Sequence, residues 1–177
     1  MYRLLILVMP LLVSATSGAM PRSNIPLEKL ALSQKGSISI EQISIGGLKI
    51  GMSEGEVIKK LGKPRSRRIA PNGCTGTNDL TLEYPNLGLY LIDGSNEKEK
   101  SYLTAIRTTN SRYITNRRIR VGDSMIKAEK AYLKTAVPTK KELYLSLTDP
   151  KNNECNLTFS SSNGRTVSEI NLVCAVC

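Results

Sequence analysis

The phrase Ile50-Gly51-Met52-Ser53 returns later in the chain as Val121-Gly122-Asp123-Ser124, and each copy precedes a stretch with the apolar spacing of a helix. A glycine ahead of a capping serine lets the chain turn sharply and then sets the first helical turn. The repeat therefore predicts two helix starts built in the same way. Runs of alternating apolar residues follow each copy, as half-buried strands require. Helix then three strands, met twice, predicts an α+β fold: two tandem helix-plus-antiparallel-strand repeats forming a curved sheet with the helices packed on one face.

The first helix has the stronger start. Ser53 and Glu56 have capping-box spacing, in which hydroxyl and carboxylate take up free amides of the first turn. Val57, Ile58 and Leu61 give a narrow apolar face, and Gly62 and Pro64 end the helix. Ahead of it, Ile38, Ile40, Ile43 and Ile45 suggest an edge strand. The second helix is expected from about Ser124 to Lys134, with Lys127 where the capping box wants an acid. Strands are predicted at Leu80–Tyr84, Leu87–Ile92, Tyr102–Thr108, Leu143–Leu147, Glu154–Phe159 and Thr166–Val173. Asp93-Gly94 with the charged run Asn96–Lys100, and Asn163-Gly164, read as hairpin turns. Lys63 to Asp79, rich in Arg, Pro, Gly and Asn, reads as a loop.

At the start of the chain, Arg3 precedes the apolar run Leu4–Val13 and small residues follow through Ala19. This is the pattern of a secretory signal peptide and is too short for a membrane span. The expected organisation is a signal peptide at 1–19, an N-terminal arm at 20–37 with a short helix at Leu27–Leu32, a first repeat at 38–111 and a second at 112–177. Periplasmic or secreted localisation follows from that expectation.

Export also governs the reading of Cys74, Cys155, Cys174 and Cys177, because disulfides persist in oxidising compartments. Cys155 and Cys174 lie on strands joined by Asn163-Gly164, so they form the first expected bridge, leaving Cys74 with Cys177. Zinc is the competing reading. With no histidine and one Cys-x-x-Cys, at Cys174–Cys177, no metal or other cofactor is expected.

Gly51-Met52-Ser53-x-x-Glu56-Val57-x-x-x-Leu61-Gly62-x-Pro64 resembles the helix opener of the SmpA/OmlA group, small envelope lipoproteins of the outer-membrane β-barrel assembly machinery. Two such units in one exported chain are similar in plan to the β-lactamase inhibitor protein. The resemblance implies helices on a curved antiparallel sheet whose open face grips another protein. It covers about 15 residues well in the first copy and fewer in the second, and it carries over no functional residue.

Nucleophilic catalysis by Ser or Cys usually needs a His or Lys base. The chain has no His, and in the Ser-x-x-Lys run Ser124–Lys127 helix capping accounts for the serine. No catalytic residue is assigned, and no enzyme is expected. The chain carries 25 basic against 15 acidic residues, a net +10, which steers acidic partners toward it. An exported chain makes nucleic acid the least suitable of these, and contact with the anionic envelope surface is a further class. Arginine dominates two basic groups, Lys63, Arg65, Arg67 and Arg68, and Arg112, Arg117, Arg118 and Arg120. Arginine pairs bidentately with carboxylates, and tyrosine anchors binding hot spots. Tyr90 and Tyr144 occupy the strand phase opposite their leucine neighbours. The partner-binding residues expected are thus Lys63, Arg65, Arg67, Arg68, Tyr90, Arg117, Arg118 and Tyr144. The function expected is an inhibitor or immunity protein that blocks an acidic enzyme or toxin, with an envelope assembly or scaffolding factor as the alternative.

Overall fold

Strands dominate the chain because apolar residues at every second position bury one side of each. In β3 (Asn78–Tyr84), β4 (Leu87–Ile92), β7 (Glu142–Thr148), β8 (Cys155–Ser160) and β9 (Glu169–Cys174), buried residues alternate with accessible ones. The computed structural model describes residues 37–92, 101–132, 136–139, 141–151 and 153–175. All of them belong to the compact unit Gln34–Cys177. The expected signal peptide, nearly all of the expected arm with its short helix, the hairpin tip at 93–100 and Cys177 lie outside the described residues.

The remaining strands are β1 (Ile38–Ser39), β2 (Ser66–Pro71), β5 (Tyr102–Thr108) and β6 (Ala136–Pro138). The sheet order is β1-β7-β8-β9-β5-β4-β3-β2, with β6 also paired to β7. The two short strands meet the same strand at different places: β6 takes Leu143 to Leu145 of β7, antiparallel, and β1 takes Leu147 and Thr148, parallel. Among the described residues nine strands thus fill eight positions.

This architecture corrects the expectation of two tandem helix-plus-strand repeats. The described residues form one continuous mixed sheet, joined at its centre by antiparallel pairing of β5 with β9. Among the described residues only two α-helices accompany it, α1 (Glu54–Leu61) and α2 (Met125–Tyr132), each of eight residues. Neither half closes a core of its own. Leu82, Leu89 and Ile106 share one buried cluster with Leu145, Phe159 and Leu172, and Val57 of α1 and Ala128 and Tyr132 of α2 join it.

What the repeated phrase encodes is a local clasp. Gly51 N–H donates to Leu103 O and Leu103 N–H to Met52 O, both at 2.7 Å; Gly122 N–H donates to Val167 O and Val167 N–H to Asp123 O, both at 2.8 Å. Both glycines have positive φ, 88° and 94°, where a side chain would be strained. The first clasp pins a helix start to β5, and the second pins one to the segment just before β9. Ser53 and Glu56 complete the capping box on α1, while on α2 the Ser124 hydroxyl accepts from Lys127 N–H at 3.2 Å without a reciprocal acid.

Three local expectations also change. The predicted strand from Ile38 to Ile45 stops at Ser39, whose hydroxyl caps a 3-10 turn at Ile40–Gln42. The predicted loop from Lys63 to Asp79 contains the six-residue strand β2. The last strand begins at Glu169, with Thr166 making only an isolated bridge to Ser124.

Candidate functional site: the open face of the sheet

With both helices packed against the buried side chains, the opposite sheet face carries the other phase of each strand. Its pairing sets adjacent side chains in rows. One row runs from Arg68 through Thr81 to Tyr90 and Ala105. The next starts at Ser66 and Glu83, crosses Gly88 and Arg107, and ends through Asn171 and Thr158 at Tyr144. Tyr90 and Tyr144 are each 43% exposed. Four strand spacings separate them, roughly 20 Å at the usual inter-strand distance.

Between the tyrosines the row through Arg107 is polar. Arg107 pairs with Glu169 across β5 and β9 at 2.8 Å. Glu83 accepts from the Ser66 hydroxyl at 3.0 Å and pairs with Arg68. These two contacts, the Ser66 hydroxyl first, hold the Glu83 carboxyl below the ordinary glutamate range. Gly88 sits between Glu83 and Arg107 without a side chain, and the face dips there. The resulting depression, about 310 Å³, is walled by Glu83, Tyr90, Arg107 and Glu169. Tyr84, Asn86, Leu87, Gly88 and Thr109 complete its lining, and the tyrosine, carboxylate and guanidinium groups there suit a polar or aromatic side chain from outside. Among the described residues, no group of three or more acidic or cysteine side chains stands close enough to hold a metal ion.

The expected binding residues separate into distinct places. Tyr90, Tyr144 and Arg68 lie on the open face. Arg67 is on the opposite phase of β2, where Nε and Nη2 hold both carboxylate oxygens of Glu54 at 2.7 and 3.2 Å. Lys63 and Arg65 stand exposed just before β2. Arg117 is committed to the helix side: its guanidinium lies 4.8 Å from the centroid of the Tyr132 ring and donates to Ala131 O at 2.7 Å. Arg118 is exposed at φ 61° in the turn after Thr115. The two basic groups therefore do not form one surface by strand register, as only Arg68 shares a row with Tyr90.

Sequence reasoning missed Gly88, Arg107 and Glu169. Their phase was readable from strand alternation, but their convergence depends on β5 pairing with β9, a contact between the two halves that spacing along the chain does not announce.

The Cys155–Cys174 disulfide is present as expected, between residues directly opposite on β8 and β9. Cys74 is disulfide-bonded as well. Among the described residues no helix is long and apolar enough to cross a membrane. No protein-family model, curated protein or solved structure matches the chain.

Proposed function

We propose that this chain is an exported, non-catalytic protein-binding module that grips an acidic partner with the open face of its sheet and blocks it, as an enzyme inhibitor or an immunity protein does. The observation that carries the reading is the pair of half-exposed tyrosines, Tyr90 and Tyr144, flanking a polar strip with a depression over Gly88. Tyrosines of this kind supply rigid, amphipathic contact area, and a recess beside one of them supplies a place for a partner side chain. The net charge of +10 favours an acidic partner by long-range attraction. The disulfide is consistent with an oxidising compartment.

The test is capture from the periplasm by the tagged chain through a moderate-salt wash, followed by Tyr90→Ala and Tyr144→Ala. Recovery of one acidic protein in equimolar amount, with affinity reduced at least about tenfold by either substitution, is expected for anchor residues. Unchanged capture by the double variant would remove the open face from the reading. Recovery of outer-membrane barrel machinery instead would replace inhibition with an assembly role.

A further inference from the structure

On the helix side of the sheet, the loop after β5 holds an isoleucine out to solvent. Ile114 is 40% exposed, yet the backbone that carries it is braced along its length. Gly46 N–H donates to Ile114 O at 2.9 Å, Thr115 N–H to Ile119 O at 2.8 Å and Asn116 N–H to Ser44 O at 3.0 Å. The Asn116 side-chain amide adds a bond to Gln42 O at 2.6 Å. One exposed isoleucine is ordinary for a protein surface; its surroundings are not.

Thr109 to Val121 contains Arg112, Arg117, Arg118 and Arg120 and no acid, and the segment that braces it, Gln42 to Ser53, contains Lys49 and no acid. Lys60 of α1 brings its ammonium to Gly47, 3.4 Å from where a Cβ would stand, and Gly47 follows the glycine bonded to Ile114. Among the described residues Lys59, Lys60, Lys63, Arg112 and Arg118 are exposed and enter no ion pair. Nearby acids are already committed: Glu54 to Arg67, Glu56 to the capping box and Asp123 to Lys127. Glu41 and Glu129 remain, too few to offset these cations.

The lysines choose the partner. Lysine is depleted at protein interfaces, because its compact ammonium is strongly hydrated. Ammonium and guanidinium groups spread around one apolar side chain instead match a layer of lipid phosphates over hydrocarbon. We propose that the Arg112–Arg118 loop seats this protein on an anionic lipid bilayer, with Ile114 entering between headgroups while Arg112, Arg118 and Lys60 lie on phosphates. Tyr90 and Tyr144 are on the other side of the sheet, so a bilayer-bound chain keeps its open face free. The proposal goes beyond the protein-binding reading and stands on different residues.

The chain has no tryptophan, so Ile114→Trp places a single fluorophore at the loop. The full chain is titrated with vesicles containing phosphatidylglycerol and with vesicles of phosphatidylcholine alone. Expected with the anionic vesicles are a blue shift of the Trp emission and its quenching by brominated acyl chains, with neither on phosphatidylcholine. In sedimentation, Lys60→Gln with Arg112→Gln should weaken binding roughly tenfold or more, and Ile114→Ser about threefold. Lys141→Gln with Arg165→Gln removes the same charge at the opposite end of α2, where Met125 N–H donates to Arg165 O, and should change binding about twofold or less. Thermal unfolding checks that every variant is folded. Equal losses from the two double variants would reduce the effect to net charge and overturn the proposal, as would binding without an emission shift or equal binding to both vesicles. No vesicle binding, together with loss of partner capture in Lys60→Gln with Arg112→Gln, would overturn it in favour of a protein at this loop. The two readings fail separately: vesicle binding that persists in a chain capturing no partner removes only the open-face reading.

Discussion

The Arg117 guanidinium lies over the ring of Tyr132, 4.8 Å from its centroid, while donating to the carbonyl of Ala131 at 2.7 Å. It thus ties the loop after β5 to the last turn of α2, where a cation is favoured by unpaired carbonyls and the helix dipole. Burial pushes the Tyr132 phenol up, with Thr115 and Arg117 pulling the other way. Arg117→Ala is expected to lower stability by about 1–2 kcal/mol, from one cation–π contact and one charged hydrogen bond. Partner capture should change little. Chemical denaturation and the capture assay together check this, and a large loss of capture at unchanged stability would return Arg117 to the binding surface.

Gly46 occupies a second tight place. At φ 60° its backbone is left-handed, and a Cβ there would lie 2.6 Å from Tyr113 Cδ1. Gly76 is a matched control, with φ 69° and nothing within 4 Å of a Cβ. Both alanine substitutions incur backbone strain of about 1 kcal/mol, but Gly46→Ala must also displace a ring. It is expected to destabilise by about 1 kcal/mol or more beyond Gly76→Ala. Adding Tyr113→Ala should shrink that difference, as urea denaturation of the four variants would show.

How much of this was legible in the sequence depends on the range of the interaction. Ser53 and Glu56 announced the start of α1 because a capping box closes within one turn. Alternation placed β4 at its observed limits, since a half-buried strand carries its face in its own sequence. Arg67 and Arg68 read as loop because an edge strand has almost no buried residues to alternate. The tandem plan failed for a related reason. Gly51 and Gly122 do form equivalent clasps, but local likeness does not reveal that β5 and β9 join one sheet over one core. The tyrosine phases were readable from period two, whereas the Gly88 depression needed the register of three strands.

The Cys155–Cys174 bridge joins residues directly opposite across β8 and β9 and spans 19 positions of sequence. A loop of that size constrains the unfolded chain by about 3 kcal/mol in the chain-entropy account. Replacing both cysteines with alanine should therefore lower unfolding free energy by about 2–4 kcal/mol under oxidising conditions. In the presence of reductant most of the difference between parent and variant should vanish. A variant as stable as its parent before reduction would show that β8–β9 pairing and packing alone set this part of the fold.

Asp123 gives the fold a pH dependence of definite sign. Burial works to raise its carboxyl, but the Lys127 ammonium at 2.9 Å and the Arg120 N–H at 2.9 Å outweigh it and hold it below the ordinary aspartate range. A carboxyl whose folded pKa lies below its unfolded value contributes stability above the unfolded pKa, near 3.9, and loses it as pH falls through the folded one. Asp123→Asn should thus destabilise the chain by about 1 kcal/mol at neutral pH, where a charged acceptor is replaced by a neutral one. The gap to the parent should narrow as pH falls below the ordinary aspartate range and the parent's own carboxyl protonates. Urea denaturation of both proteins at a series of pH values measures it. A gap that stays constant through the acid range would show that Asp123 acts by shape and hydrogen bonding alone, and that its charge contributes nothing to the clasp at Gly122.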